Sequence, residues 1–205
     1  MGVEAGQLAL GKTSFRDMTG EFWGFIETRP YMRARGGLAL ALLELGETDA
    51  AIGHLRAMLE LNPNDNQGIR YVLLGTLLDR EATDEVVALL DVYDADYSPY
   101  WAYTRLLLAF RAGKGAETAT RRLLSDAVKI NRHVPGLLLR PDPPPEFDAP
   151  YITVGDEDEA ADYVVACGAA WRRTPGAIDW LASLVARPAR APAIQRRPRK
   201  ASEPR

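Results

Sequence analysis

The chain has 205 residues, of which 47% are hydrophobic and 26% charged, the composition of an ordinary globular domain rather than of a disordered or fibrous protein. Its net charge of −3 divides into +6 on residues 187–205 and −9 on the rest, and an acidic body disfavours a nucleic-acid groove there. No apolar run reaches about 18 residues, and the N-terminus lacks the features of a secretory signal, so we predict a cytoplasmic protein without a membrane-spanning segment.

The first 28 residues contain a possible phosphate-binding motif. Gly6-Gln-Leu-Ala-Leu-Gly11-Lys12-Thr13 fits the pattern in which backbone amides and a lysine bind phosphates while a threonine holds magnesium. That motif must follow a buried strand and open a helix, and residues 1–5 contain no apolar β run. We therefore interpret residues 1–28 as a partly flexible segment and keep nucleotide binding as an alternative function.

Residues 29–63 have the spacing of two helices joined by a tight turn. Pro30 suits the first turn of a helix, Gly46 suits the position just past its end, and Pro63 stops the second helix. Two further hairpins are predicted at 66–93 and 98–131, and the turn glycines Gly46 and Gly113 are separated by about twice the ~34-residue period of tetratricopeptide repeats. The pattern predicts three stacked helical hairpins.

The composition changes after the third hairpin. Residues 141–150 include five prolines and predict an extended connector. Residues 156–185 have helical spacing again, with Asp156 as a candidate N-cap, and we expect these two helices to cap the open end of the array. The predicted fold is therefore all-α: a tetratricopeptide-like helical-hairpin solenoid over residues 29–185 with a C-terminal capping helix pair.

Several short segments within residues 127–181 stand in a characteristic order: Ala127-Val-Lys-Ile-Asn-Arg-His-Val-Pro135, Gly136-Leu-Leu-Leu, Gly155-Asp-Glu-Asp-Glu-Ala160, Ala169-Ala-Trp-Arg-Arg173 and Gly176-Ala-Ile-Asp-Trp-Leu181. This block resembles the C-terminal block of the suppressor of tumorigenicity 7 family, and the order and spacing extend over roughly residues 29–181. The resemblance implies a helical-repeat architecture and an interaction or regulatory role, with no catalytic residues to carry over.

Candidate partner-binding residues lie where the first two hairpins begin, on the helices that line the concave groove in tetratricopeptide arrays. They are Arg29, Arg33, Asn66, Gln67, Arg70 and Tyr71. Asn66 and Arg70 are four residues apart and are predicted to share one helix face, with Gln67 and Tyr71 on the adjacent face. The set predicts a basic, hydrogen-bonding patch for a peptide carboxylate or an acidic segment.

The same sequence allows a structural interpretation of this region. Asn64 or Asp65 would cap the helix, and Arg70 would pair with Glu27 or Glu44 of the neighbouring hairpin. Both interpretations stay open at this point.

Residues 186–205 are basic and rich in proline. Seven basic residues and four prolines accompany one acid, Glu203, and one bulky apolar residue, Ile194. Such a segment buries too little surface to offset the entropy of ordering, so we predict a disordered tail. We expect either a solvated tail without a dedicated ligand or a tail that contacts nucleic acid, an anionic surface or the acidic body of the protein itself.

The chemistry-bearing side chains form no predicted catalytic set. Cys167 is the only cysteine, which excludes an intrachain disulfide, and His54 and His133 stand far apart without catalytic neighbours. We therefore predict no cofactor, no metal and no enzymatic activity. The predicted function is a non-catalytic adaptor or scaffold that binds a partner peptide in the concave groove of its repeats.

Overall fold

The computed structural model describes residues 2–147 and 151–186. These residues contain ten α-helices, one 3-10 helix (Ile26–Thr28) and no strand, which confirms the all-α class for the described part of the chain. The α-helices are α1 (Gly2–Asp17), α2 (Arg29–Glu44), α3 (Thr48–Leu61), α4 (Ile69–Asp79), α5 (Thr83–Val92), α6 (Pro99–Arg111), α7 (Thr118–Ile130), α8 (Val134–Leu139), α9 (Glu157–Arg173) and α10 (Ala177–Val185). None of the described helices has the length and apolarity that a membrane crossing requires.

Three pairs of consecutive helices pack against each other across short turns: α2 with α3, α4 with α5, and α6 with α7. Gly46 and Gly113 follow the first helix of their pairs with φ of 77° and 74°, a left-handed conformation that costs glycine little. The equivalent position after α4 is Glu81, which adopts φ of 56°. All three turns therefore end the first helix in the left-handed conformation, although only two of them use glycine.

The second pair begins later than the sequence pattern predicts. α4 starts at Ile69, whereas the predicted hairpin starts at residue 66. Residues 62–68 form successive turns in which Asp65 has φ of 48° and Gly68 has φ of 70°. These left-handed residues interrupt the helical path, so the prediction that Asn66 lies on a helix was wrong.

The N-terminal segment, predicted to be partly flexible, is helical from Gly2 to Asp17 and packs on α2. Phe15 contacts Phe22 and Tyr31 with ring centroids 5.1 Å away from each, and Phe22 and Tyr31 are buried. The sequence pattern did not predict this helix because Gly11, with φ of 67°, kinks it and interrupts the apolar stripe that a straight helix would show.

The C-terminal helix α9 packs along α4 and α6, the first helices of the second and third pairs. A Cβ at Gly75 would lie 2.9 Å from the carbonyl oxygen of Ala166, so this glycine allows α4 and α9 to approach at backbone distance. Tyr163 is fully buried and contacts Tyr100 and Tyr103 of α6 at ring-centroid distances of 5.4 and 5.8 Å. α9 therefore lies along the second and third pairs and not at the open end of the array, where it was expected, because Gly75 allows it to approach α4 closely.

The last helix, α10, packs on α8 and α9. Its Trp180 stacks near Phe110 at a ring-centroid distance of 4.7 Å, and the indole nitrogen donates a hydrogen bond to the carbonyl oxygen of Gly115 at 3.1 Å. α10 therefore contacts the turn between α6 and α7 as well as α8 and α9. One continuous core of buried side chains extends from Phe22 to Leu181.

Candidate functional site

Arg70, the central residue of the predicted patch, is held within a cluster of acidic and aromatic side chains. Its Nε donates to Oδ2 of Asp96 at 2.7 Å, and its Nη1 donates to Oδ2 of Asp65 at 3.1 Å. The guanidinium carbon lies 4.5 Å from the ring centroid of Tyr71 and 5.4 Å from that of Tyr93. Only 19% of the Arg70 side chain is exposed. We call these five residues the Arg70 cluster.

Asp65 caps α4 from outside the helix. Its Oδ1 accepts a hydrogen bond from the backbone nitrogen of Ile69 at 2.8 Å, and its Oδ2 accepts one from that of Arg70 at 2.9 Å. Gly68 occupies the N-cap position and has no side chain to do this, so Asp65 satisfies amides that the helix start leaves open. The structural interpretation was therefore correct for Asp65. It was wrong for the arginine, whose acidic partners are Asp65 and Asp96 rather than Glu27 or Glu44.

The pKa values of the two carboxylates of the Arg70 cluster shift in opposite directions. Burial raises the pKa of Asp65 above its ordinary value, although its contacts with Arg70 and Ile69 act in the opposite direction. Burial also raises the pKa of Asp96, but hydrogen bonds from Ser98 and Arg70 outweigh it, and the pKa ends below its ordinary value. The pKa of Arg70 is raised because the hydrogen bond to Asp96 and the nearby charges outweigh the effect of burial. Asp96 is thus the main counter-ion of a permanently charged Arg70.

Tyr71 is the second predicted residue that belongs to the Arg70 cluster. Its hydroxyl lies 3.0 Å from Oδ2 of Asp96, and its ring contacts that of Tyr100 at a centroid distance of 4.6 Å. The hydroxyl of Tyr100 in turn donates to Oδ2 of Asp162 on α9 at 2.9 Å. The face of α4 and α6 beside the cluster is therefore covered by the chain's own α9, and Arg70 and Tyr71 are engaged inside the protein.

Asn66 and Gln67 precede α4 and do not share a helix face with Arg70. Asn66 is exposed in the turn, where its side chain lies 3.2 Å from that of Asn62, and Gln67 is half-buried. The sequence pattern assigned these two residues to a helical register that the chain does not adopt.

Arg29 and Arg33 lie together over a residue that the sequence analysis missed. Their guanidinium carbons lie 5.4 Å and 5.5 Å from the ring centroid of Trp23, and Nε of Arg29 donates to the backbone oxygen of Trp23 at 2.9 Å. Within residues 2–147 and 151–186, neither arginine forms an ion pair with a carboxylate. We call these three residues the Trp23 patch. A tryptophan six residues before an arginine at a helix start was the signal that could have indicated it.

The phosphate-binding motif lies within α1. Residues 6–13 are helical apart from the kink at Gly11, and no strand precedes them in the described part of the chain. A phosphate-binding loop needs free backbone amides between a strand and a helix, whereas the amides of a helix are already bonded to its own carbonyl groups. This geometry does not support the nucleotide-binding alternative.

The other titratable residues do not gather into a metal site. Among the described residues, no group of three or more His, Cys, Asp and Glu side chains is arranged to hold a metal ion. Cys167 is fully buried in α9, and burial raises the pKa of its thiol well above the ordinary value. Burial lowers the pKa of His54 below its ordinary value, and the positive charge of Arg35 lowers it further.

The predicted basic tail, residues 186–205, lies outside the described residues except for Ala186, which is the C-cap of α10. Comparison of the chain with protein-family models, curated proteins and solved structures finds no match. The resemblance to the suppressor of tumorigenicity 7 family therefore stays a prediction from the sequence.

Proposed function

We propose that this protein is a non-catalytic adaptor that binds an acidic peptide segment of a partner protein at the Trp23 patch. The observation that supports it most strongly is the pair of guanidinium groups of Arg29 and Arg33 beside one tryptophan, without carboxylate partners among the described residues. The patch begins α2, whereas α9 packs on α4 and α6. The proposed binding site is therefore on the first helix pair, and not on the face of the second and third pairs that α9 covers.

The chemistry of the Trp23 patch suits a carboxylate. A guanidinium binds a carboxylate through two parallel hydrogen bonds, and the tryptophan ring holds each arginine near the conformation it needs, which reduces the entropy lost on binding. Arginine and tryptophan are also the residue types that most often dominate binding energy at interfaces. Ile26, 76% exposed, stands on the 3-10 helix between Trp23 and α2, and can contact an apolar side chain of the same peptide.

The larger architecture belongs to the same proposal. We infer that the three helix pairs stack as a tetratricopeptide-like solenoid, because α3 of the first pair packs on α4 of the second and the turns recur at about the expected period. A stack of this kind presents the first helices of successive pairs on one side. The resemblance to the suppressor of tumorigenicity 7 family implies the same architecture and an interaction or regulatory role.

Selection from a displayed peptide library on the immobilised full chain tests this function. We expect acidic peptides to be enriched, and Arg33→Glu to weaken their affinity by about tenfold or more, since a hydrogen bond to a charged group contributes roughly 1.5–3 kcal/mol. Arg122→Glu is the matched control because Arg122 is exposed on α7, far along the chain from the patch. Enrichment of peptides without acidic residues, or equal effects of the two charge reversals, would contradict the proposal.

A further inference from the structure

A groove on the outer side of α9 carries exposed apolar side chains. It lies between α9 and the segments on either side of residues 148–150, and its volume is about 490 Å³. Tyr151 is 83% exposed, Val165 is 71% exposed, and Phe147 and Ile152 are exposed as well. Single exposed apolar residues are common on protein surfaces, but here four of them line one groove. Clusters of this kind mark sites of contact with other chains or segments.

The charge of this groove has one sign. Glu146, Asp158 and Asp162 line it, and no lysine or arginine is among its described lining residues. Asp158 accepts a hydrogen bond from the backbone nitrogen of Thr153 at 2.7 Å, and Asp162 accepts one from Tyr100, so both carboxylates are held in place. The pKa of Asp158 is lowered, chiefly by that bond from Thr153, which keeps the carboxylate ionised. Fixed carboxylates beside exposed apolar side chains favour a segment that is basic and also carries an apolar residue.

We propose that residues 187–205 of this chain bind in the groove on α9. This segment carries a net charge of +6, four prolines and one bulky apolar residue, Ile194. Its charge is opposite to that of the groove, and its prolines favour an extended backbone that loses little entropy on binding. The groove is distinct from the Trp23 patch, so this proposal does not depend on the proposed function.

The length of the segment is sufficient for it to reach the groove. In the extended conformation that its prolines favour, a segment of 19 residues spans up to about 59 Å. The segment begins after α10, which packs on α9, and the whole of α9 is about 25 Å long. A short tether of this kind raises the effective concentration to the millimolar range, at which weak ionic and apolar contacts are sufficient for binding.

Paramagnetic NMR on the full chain tests the proposal. Ser202→Cys places a reactive thiol in the segment, and a nitroxide reagent will label it selectively because Cys167 is fully buried with a raised thiol pKa. Unsubstituted protein treated with the reagent shows whether Cys167 stays unlabelled. We expect the nitroxide to broaden the amide signals of Phe147, Ile152 and Val165, and a diamagnetic label to leave them sharp.

Two double variants make the result specific. Asp158→Asn with Asp162→Asn removes both charges and keeps acceptor oxygens for Thr153 and Tyr100. We expect the equilibrium constant for docking to fall roughly two- to thirtyfold, the range that two exposed ion pairs support. Asp91→Asn with Asp94→Asn removes two exposed charges near the end of α5 and should leave docking unchanged. Raising the salt concentration from about 0.05 M to about 1 M should weaken docking in the unsubstituted groove.

The outcomes that overturn the proposal are equally distinct. Broadening that is absent from the groove shows that the segment does not bind there, whether it is free or bound elsewhere on the chain. Broadening that persists unchanged in Asp158→Asn with Asp162→Asn shows that the groove charges do not recruit it. A competition experiment gives the supporting outcome. If the groove signals broaden in the protein alone and sharpen when nucleic acid or anionic vesicles are added, the segment docks in the groove and the added anion competes for it.

Discussion

Replacing Arg70 with methionine separates the two interpretations of this residue. If Arg70 were a surface residue that binds a peptide, the substitution would leave the stability of the protein almost unchanged. In the structure, Arg70 is the cation between two carboxylates whose side chains are only 1% and 5% exposed, those of Asp65 and Asp96. Arg70→Met keeps the long aliphatic stem and removes the charge, so it leaves two buried carboxylates without a counter-ion.

The expected loss in the free energy of unfolding depends on the hydrogen bonds that each carboxylate keeps without Arg70. Removal of one partner from a buried ion pair costs about 3–5 kcal/mol, and the loss of the contacts with the faces of Tyr71 and Tyr93 adds about 0.5–2 kcal/mol. Asp65 retains two backbone N–H donors and Asp96 retains that of Ser98, which reduces the penalty. We expect a loss of about 3 kcal/mol in the free energy of unfolding, a large part of the roughly 5–15 kcal/mol typical of a domain.

Urea unfolding followed by far-ultraviolet circular dichroism measures this loss. Arg56→Met is the matched control, because Arg56 forms an ion pair with Glu85 at an exposed position and should cost less than about 1 kcal/mol. Adding Asp96→Asn to Arg70→Met removes one orphaned charge and should recover about 1 kcal/mol or more. A loss for Arg70→Met no greater than that of Arg56→Met would refute the view that Arg70 is an internal counter-ion.

Three further changes test other parts of the structure. Gly75→Ala should destabilise the fold by about 1–3 kcal/mol in urea unfolding, because its Cβ would lie 2.9 Å from a backbone oxygen of α9. Gly37→Ala on α2 is the control, because a Cβ there meets open space and should stabilise the fold by about 0.5–1 kcal/mol. Equal effects of the two substitutions would show that α4 and α9 lie further apart than observed. The pKa of Asp96 lies below its ordinary value, so its contribution to stability is present above about pH 4 and is lost as the pH falls through the folded pKa. Asp96→Asn should therefore lose less stability than the unsubstituted protein between about pH 5 and pH 2, and a steeper loss in the variant would contradict the sign. Native Cys167 should react with a thiol reagent at neutral pH only as fast as the protein opens, and rapid labelling without denaturant would show that α9 is not firmly packed.

Local chemistry made part of the fold predictable. Gly46 and Gly113 end their helices in the left-handed conformation because only glycine enters it without steric cost, and a pattern of this kind can be found in a sequence. Asp156 was identifiable in the same way, and its Oδ1 accepts a hydrogen bond from the backbone nitrogen of Glu157 at the start of α9. Glu81 adopts the same left-handed conformation without being glycine, so the end of α4 carried no comparable signal.

The interactions that decide the site were not local. Arg70 and Asp96 are 26 residues apart, and nothing in the spacing of the sequence pairs them. The position of α9 depends on the close approach that Gly75 allows with Ala166, and neither residue is distinctive in a sequence. Amphipathic spacing predicts that a helix has a buried face but does not specify which neighbour covers it. For this reason the sequence could propose the arginines as binding residues and could not tell which of them the fold itself engages.

Amide hydrogen exchange on the full chain, with and without an acidic peptide selected on the unsubstituted protein, tests the proposed binding site most directly. We predict that the peptide slows exchange at residues 23–40, which include the Trp23 patch and the start of α2, and leaves α4 unchanged because α9 already covers it. Protection centred on α4 and α6, with residues 23–40 unaffected, would contradict the proposal and return peptide binding to the face beside the Arg70 cluster.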